Sequence, residues 1–371
     1  MKVSIVFAAA LLAVSALPAQ EEWTLFKATH GKSYENIDEE KVRFQIFQDN
    51  VQKINAHNAL YEAGLKTYTM AVNQFSDLTA QEFGAMLRLK NGPIRREHLT
   101  RHVQNPSLPV PDSIDWREKN AVLEVKDQGD CGSCWAFSTV GSIEGQNAIK
   151  NNQRVPLSVQ QLVDCDDEEN LGCNGGNMTE PFKYVIKHGV NSEAEYPYEA
   201  TDNKCRAMNS TVVTVKEGVA VDPTESALKE AVGTVGPISV TMYADLLQSY
   251  HKGIFESEDC IADIFYIDHA VVAVGYGTLN GTVGPISVTM YADFLQSYHK
   301  GIFESEDCVA SPFLLDHAVV AVGYGTINGR KYWILKNSWG VNWGEDGFLR
   351  LARDADNQCG IALQPTYPIL A

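Results

Sequence analysis

The sequence lacks an excess of basic residues, a long apolar run and a repeated cysteine pair, and each absence excludes a class of protein. Acidic residues outnumber basic ones by 47 to 30, which disfavours nucleic acid or an anionic membrane as the partner. The apolar run after Lys2 is too short to cross a bilayer. Cys131 and Cys134 form a C-x-x-C pair that does not recur at zinc-binding spacing. We therefore expect no nucleic-acid partner, no membrane span and no metal.

The composition and the N-terminus are typical of a folded protein of the secretory pathway. The chain has 371 residues, which is long enough for more than one domain. Of these residues, 44% are hydrophobic and 21% charged, which is ordinary for a folded globular protein. Residues 1–19 run from Lys2 through an apolar stretch to small residues, the layout of a signal peptide. In an oxidising compartment the eight cysteines are better explained as disulfides than as metal ligands. The lysosome and an extracellular or digestive lumen both remain open.

The stretch Q-G-D-C-G-S-C-W-A, residues 128–136, has the features of a reactive thiol site. Few helix breakers follow it, and apolar residues recur at helical spacing at Phe137, Val140, Ile143 and Ala148. Cys134 is therefore predicted at a helix N-terminus. The partial positive charge there, together with any nearby imidazolium, lowers a thiol's pKa and favours the reactive thiolate.

The C-G-S-C-W run matches the signature around the nucleophilic cysteine of papain and the cathepsins. The chain therefore resembles a papain-family cysteine protease of the cathepsin L type. The resemblance implies an α+β, papain-like fold: a helical left domain and an antiparallel β-barrel-like right domain, with the active-site cleft between them. It also implies a helical inhibitory pro-segment in front of them. The expected activity is peptide-bond hydrolysis through an acyl-enzyme, without a cofactor.

Two further motifs are similar to those of cathepsin L-like pro-segments. The first is filled by Glu39, Arg43, Phe47, Asn50, Ile54 and Asn58, on a predicted helix over Glu39 to Asn58. The second runs through Asn73, Phe75 and Asp77. We expect a signal peptide at 1–19, an inhibitory pro-segment and linker at 20–109, and a papain-like peptidase domain at 110–371. Helical patterns, including a capped helix after Ser158 and one over Thr179 to His188, precede a β-rich half.

A tandem repeat interrupts this layout. Residues 233–280 and 281–328 are two copies of one segment and differ at seven positions. Each copy carries D-H-A-V-V-A-V-G-Y-G, so both His269 and His317 are candidate bases for Cys134. His269 follows Cys134 by 269 − 134 = 135 residues, within the family's spacing. Removing one copy gives His317 the same spacing.

We favour His317, because its strand is joined by a short turn to K-Y-W-I-L-K-N-S-W, which carries Asn337. The repeat also leaves one cysteine surplus. We interpret it as two alternative versions of one segment, joined from mutually exclusive exons or by a faulty gene model. A real insertion that extrudes one copy is the alternative.

The resemblance implies a role for each matching position. Gln128 stabilises the oxyanion, Cys134 is the nucleophile, His317 (alternatively His269) is the base and Asn337 orients it. Substrate-binding positions are Gly176, Met178, Thr289, Leu315, Ala318, Trp339 and Gln364. The implied disulfides are Cys131 with Cys173, Cys165 with Cys205, and Cys359 with Cys308 or, alternatively, Cys260.

Expected partners are peptide and protein substrates, the chain's own pro-segment and cystatin-like inhibitors. Two readings compete with a working protease. The duplication could leave a catalytically inactive papain-like protein that binds peptides or serves as storage. A disulfide-exchange protein using Cys131 and Cys134 is disfavoured, because no thioredoxin-like pattern surrounds them.

Overall fold

The structure is a computed structural model that describes residues 18–87, 89, 97–105, 107–168, 170–242, 244–255, 269–277, 323–327, 330–354 and 357–371. Residues 1–17 of the expected signal peptide lie outside this set. The helices are α1 (Ala19–His30), α2 (Ile37–Glu62), α3 (Ala80–Met86), α4 (Cys134–Asn151), α5 (Val159–Cys165), α6 (Pro181–His188) and α7 (Glu225–Thr234). None of the helices described there is long and apolar enough to cross a membrane.

The first three helices form the pro-segment, and α2 contains the predicted helix. Asn36 caps α2, since its side-chain oxygen accepts from the backbone N–H groups of Asp38 and Glu39. Phe47 on α2 packs against Trp23 and Phe26 of α1, with ring centroids 5.2 and 4.8 Å away. These three buried aromatic side chains form a small core that is separate from the main one.

The polar motif residues of the pro-segment tie α2 to the chain that follows it. Asn50 donates to the carbonyls of Ser76 and Leu78 at 3.0 and 2.9 Å. Arg43 pairs with Glu82 on α3 at 2.9 Å. Because these groups are satisfied inside the pro-segment, the regular polar spacing along α2 reflects internal bracing.

The peptidase helices begin and end close to the predicted positions. Helix α4 starts at Cys134, as predicted. Ser158 caps α5 by accepting from the backbone N–H of Gln161 at 3.0 Å. The reciprocal half of the capping box is absent, because Oε1 of Gln161 instead accepts from the backbone N–H of Asn191 at 2.7 Å, and the Ser158 N–H donates to the Asn191 carbonyl at 3.0 Å. Helix α6 ends at Gly189, whose φ of 68° suits glycine.

The strands form one mostly antiparallel sheet. They are β1 (Tyr68–Met70), β2 (Thr100–Arg101), β3 (Ile114–Asp115), β4 (Val215–Ala220), β5 (Ile238–Met242), β6 (Tyr250–Phe255), β7 (His269–Gly277), β8 (Gly323–Ile327), β9 (Arg330–Lys336), β10 (Phe348–Ala352) and β11 (Thr366–Leu370). Their order is β1-β6-β10-β9-β8-β3-β7-β5-β11-β4-β2, with a further β7–β9 pairing. Within the described residues this antiparallel-rich sheet does not close into a barrel.

Both copies of the repeat contribute to this sheet. Strands β5 and β7 come from the first copy and pair from Ile238↔Ala273 to Met242↔His269. Strand β8 comes from the second copy and forms the predicted hairpin with β9, from Gly323↔Ile334 to Ile327↔Arg330. Strand β7 also reaches β9, through Val272↔Lys336. The sheet is therefore composite, and the first copy brings its histidine beside the strand that leads to Asn337.

Candidate active site

Cys134 lies at the first residue of α4 and is fully buried beneath the pro-segment. Burial raises the pKa of its thiol well above the ordinary value, and hydrogen bonding from the backbone N–H groups of Trp135 and Cys134 opposes this only in part. Cys134 is the one free cysteine among the described residues. In this state of the molecule the thiol is therefore protonated.

His269 and Asn337 stand together near the end of β9. The Nε2 atom of His269 lies 3.3 Å from Oδ1 of Asn337, and the ring of Trp339 lies 5.2 Å from the imidazole. Burial lowers the pKa of His269 well below its usual value, so the ring is neutral here. The structure thus places His269, the alternative base of the sequence analysis, beside Asn337; the preferred His317 lies outside the described residues.

Gln128 is held rigidly beside the start of α4. Its backbone N–H donates to the Ser338 carbonyl at 2.8 Å, and its side-chain oxygen accepts from the Ser338 hydroxyl at 2.7 Å. The Gln128 amide nitrogen donates to the Cys131 carbonyl at 3.0 Å. Ser338 therefore joins Gln128 to the residue after Asn337, a link that the N-S-W-G motif contained but that the sequence analysis did not interpret.

The pro-segment covers this group of residues. Phe75 and Phe83 meet the Trp339 ring edge-on, with centroids 5.6 and 5.2 Å away. Gln74 donates to the Trp339 carbonyl at 2.6 Å. Leu89 forms a parallel β-bridge with Gly176, so the backbone of the pro-segment occupies the peptide-pairing position that the resemblance assigns to Gly176. Gln74, Phe83 and Leu89 were not predicted from the sequence, because no periodic pattern distinguishes contacts between distant parts of the chain.

Gly176 has a steric reason to be glycine. A Cβ atom there would lie 2.7 Å from the Trp135 ring and 2.4 Å from Oδ1 of Asn170. The neighbouring pocket position Met178 is fully buried, and Gln364 is 3% exposed. Thr289, Leu315 and Ala318 lie outside the described residues. The structure instead contains Thr241 and Ala270, the counterparts of Thr289 and Ala318 in the first copy, and both are buried.

Two disulfides agree with the pairing that the resemblance implies. Cys131 is bonded to Cys173, and Cys165 to Cys205. Cys359 is also disulfide-bonded, and its candidate partners Cys260 and Cys308 both lie outside the described residues. The first bridge closes the loop directly before Cys134, which restricts the motion of the nucleophile's backbone.

A buried charged cluster lies behind Asn337. Lys126 contacts Glu193 at 2.5 Å and Glu144 at 3.6 Å, and a cavity of about 30 Å³ lined by Lys126, Glu144 and Lys336 adjoins Asn337. Burial lowers the pKa of Lys336 to about 8, although the nearby Glu144 carboxylate acts in the opposite direction. No group of acidic, histidine or cysteine side chains suited to a metal ion occurs in the described part of the chain.

Comparisons with known proteins agree with this geometry. Residues 110–283 and 279–369 match the papain family cysteine protease domain, so the match divides near the junction of the two copies. Residues 23–83 match the cathepsin propeptide inhibitor domain. A cathepsin L-like proteinase of Phaedon cochleariae is 41% identical over 375 residues and covers 100% of both chains. Digestive cysteine proteinase 1 of Homarus americanus is 39% identical and covers 99% of both chains.

A solved structure is similar over nearly the whole chain. Digestive procathepsin L 3 of the Tenebrio molitor larval midgut is 39% identical, with a TM-score of 0.76, and the match covers 96% of this chain and 100% of that one. The shared fold includes the pro-segment as well as the peptidase domain. The chain is therefore a cathepsin L-like proenzyme and belongs to the papain family of cysteine proteases.

Proposed function

We propose that Cys134, His269 and Asn337 form the catalytic triad of this cysteine endopeptidase. The Cys134 thiolate attacks the scissile carbonyl carbon, and His269 passes its proton to the leaving amine. Water then hydrolyses the acyl-enzyme. The contact between His269 and Asn337 is the observation that carries this assignment. Trp339 shields that contact from water, which strengthens it.

Gln128 is proposed to stabilise the negative charge that develops on the carbonyl oxygen. Its amide and the backbone N–H of Cys134 are the two donors. The bonds to Ser338 hold Gln128 in place before substrate arrives, so little reorganisation is needed during the reaction. Losing one such donor typically lowers kcat about 10²–10³-fold.

The substrate pocket is proposed to include Met178, Thr241, Ala270 and Gln364, with Gly176 pairing with the substrate backbone. Thr241 and Ala270 replace their second-copy counterparts, Thr289 and Ala318. Ala270 follows His269 on β7, and Thr241 lies on the neighbouring strand β5. We expect the pocket to prefer Leu or Phe as the substrate side chain two residues before the scissile bond. Thr241 and Gln364 make the pocket more polar than an all-aliphatic one.

The proposed layout is a signal peptide at 1–19, a pro-segment with its linker at 20–109 and a peptidase domain at 110–371. The protein is proposed to enter the secretory pathway and to act in a digestive lumen, since relatives from Homarus americanus and Tenebrio molitor are called digestive. Cystatin-like proteins are the expected inhibitors in trans.

Active-site labelling tests the proposed function. The protein is incubated at a pH of about 5 until the pro-segment is removed, and then treated with a peptidyl vinyl sulfone. We expect one label, located on Cys134 by mass spectrometry, and none in Cys134→Ser protein whose pro-segment has been removed with an added protease. Absence of label on Cys134 would instead favour the inactive peptide-binding protein.

A further inference from the structure

The linker between the pro-segment helices and the peptidase domain contains a short strand, β2, at the far end of the sheet. Strands β5, β11 and β4 separate β2 from the β7 strand that carries His269. With strands about 4.8 Å apart, β2 lies about 19 Å from β7 along the sheet. The contacts of this strand are therefore distinct from those that cover the cleft.

The backbone of the linker is paired with β4. Thr100 and Arg101 lie opposite Val219 and Ala220 in a parallel register, and the His102 N–H donates to the Ala220 carbonyl at 2.7 Å. Leu99 packs over Gly218, where a Cβ atom would come within 2.7 Å of its Cδ2. Any residue larger than glycine at position 218 would force the Leu99 side chain to shift.

Two basic side chains of the linker meet carboxylates of the peptidase domain. Arg101 forms a bidentate pair with Asp222, both distances being 2.9 Å. The imidazole of His102 lies 2.6 Å from Oε2 of Glu230 and 2.9 Å from the Tyr367 hydroxyl. Arg101 is exposed, and exposed ion pairs contribute little. The His102 pair is buried, so it supplies most of the selectivity.

The residues after this contact are exposed. Val103 is 82% exposed, and the described residues from 103 to 109 are all exposed. A protease can therefore reach the chain directly after His102, while the paired segment itself is protected by the sheet and by its ion pairs. A cut there leaves the contacts of residues 98–102 intact.

We propose that the edge of β4, with Asp222, Glu230 and Tyr367, is a second peptide-binding site that is separate from the catalytic cleft. Its ligand is an extended segment that pairs with β4 and carries adjacent Arg and His side chains. The chain's own residues 98–102 fill it in the proenzyme and keep the cut pro-segment attached to the peptidase domain. Cleavage of the linker at 103–109 is then insufficient for full release. This inference rests on the proposed function, because it assumes that the linker is cut during activation.

The test uses a fluorescent peptide with the sequence of residues 98–104 and the peptidase domain freed of its pro-segment by an added protease. Cys134 is first blocked with the vinyl sulfone, which closes the cleft. We expect saturable binding by fluorescence anisotropy. Replacing the His102 equivalent by Ala, or Glu230→Gln in the enzyme, should weaken binding at least about tenfold. Replacing the exposed Val103 equivalent by Ala should leave binding unchanged.

Three outcomes would overturn the proposal: no saturable binding, binding that Glu230→Gln leaves unchanged, or binding that occurs only while the cleft is unblocked. A melting curve of the Glu230→Gln protein separates lost binding from lost folding. The Asp222→Asn variant, altered at a more exposed carboxylate, provides a second measurement if Glu230→Gln fails to fold, and it should weaken binding less. If Cys134 takes no label, the proposed function fails, but peptide binding remains measurable.

Discussion

At the scale of single residues, the proenzyme holds the proposed nucleophile, Cys134, and the proposed base, His269, in their neutral forms. Burial raises the pKa of the Cys134 thiol and lowers the pKa of His269, and both effects oppose a thiolate–imidazolium pair. Phe75, Phe83 and Leu89 of the pro-segment belong to the same buried cluster as Cys134. Covering the site thus suppresses its chemistry as well as its access.

Thiol reactivity tests this interpretation. We expect iodoacetamide at pH 6–7 to alkylate Cys134 at least about a hundredfold more slowly in the proenzyme than in the activated enzyme, because a thiolate reacts and a buried thiol does not. The measurement is the time course of carbamidomethylation of the Cys134 peptide by mass spectrometry. Urea-unfolded proenzyme is the control and should react at an ordinary rate. Equal rates in proenzyme and activated enzyme would contradict the account.

The structure joins Gln128 to Ser338, the residue after Asn337, but the sequence alone could not choose between the two histidines. His269 and His317 have the same ten residues from Asp268 and Asp316 onward, so no local pattern distinguishes them. The described residues include His269, on a β7 strand that pairs with β5 of the same copy. Which histidine serves Cys134 depends on contacts between distant segments, which a local motif does not encode.

At the scale of elements, the two ends of the repeat pair with strands that lie within the same stretch of sequence. Strand β5 follows α7 and pairs with β7 of its own copy, whereas β9 forms a hairpin with β8 directly before it. Both pairings join segments that are close in sequence, which lowers the entropic cost of closing the loops between them. Considered for the hairpin alone, the same entropic effect favours His317, the histidine of the second copy.

The pro-segment contains a buried histidine on α2 that contacts β1. His57 is 9% exposed, and its Nε2 atom lies 3.0 Å from the Tyr68 carbonyl. Burial lowers its pKa to about 4, below the usual value of about 6.5. The unfolded pro-segment therefore binds a proton between pH 6.5 and 4 where the folded one does not, and stability falls as the pH falls through that window.

We expect His57→Gln to flatten the acid dependence of pro-segment unfolding. In the wild type, burial of His57 should lower the free energy of unfolding by up to about 3 kcal/mol as the pH falls from 6.5 to 4. The variant should not show this decrease. Urea unfolding of Cys134→Ser proenzyme, followed at several pH values in that window, measures it. His188, which is exposed at the end of α6, provides a control through His188→Gln. The same pH slope in the His57→Gln and wild-type proteins would rule this explanation out.

At the scale of the whole molecule, strands from both copies of the repeat pair within one papain-like sheet. Strand β7 ends at Gly277 and β8 begins at Gly323, and Gly275–Gly277 and Gly323–Gly325 have the same sequence in the two copies. A chain in which Gly323 directly follows Val274 would therefore contain the complete sequence of strand β7. The fold class was predictable because it depends on single-copy motifs outside the repeat.

Excision of residues 275–322 tests this view of the fold. We expect the shortened proenzyme to fold, to keep proteolytic activity within about threefold of the full chain, and to gain roughly 1–3 kcal/mol in unfolding free energy from the shorter connection. Peptide mapping should find Cys359 bonded to Cys260, since Cys308 is removed. A matched excision of residues 281–328 removes β8, the hairpin partner of β9. Because the two copies are so alike, it yields nearly the same sequence as the first excision. Failure of both shortened chains to fold would contradict the composite sheet.

The central claim is that His269 of the first copy serves Cys134. The most direct measurement compares kcat/KM of full-length His269→Ala and His317→Ala proteins, each activated by the same added protease and each checked for folding by its melting curve. The account predicts that His269→Ala loses at least about 10³-fold in kcat/KM and that His317→Ala stays within about threefold of the wild type. The reverse result, loss with His317→Ala and activity retained with His269→Ala, would contradict it.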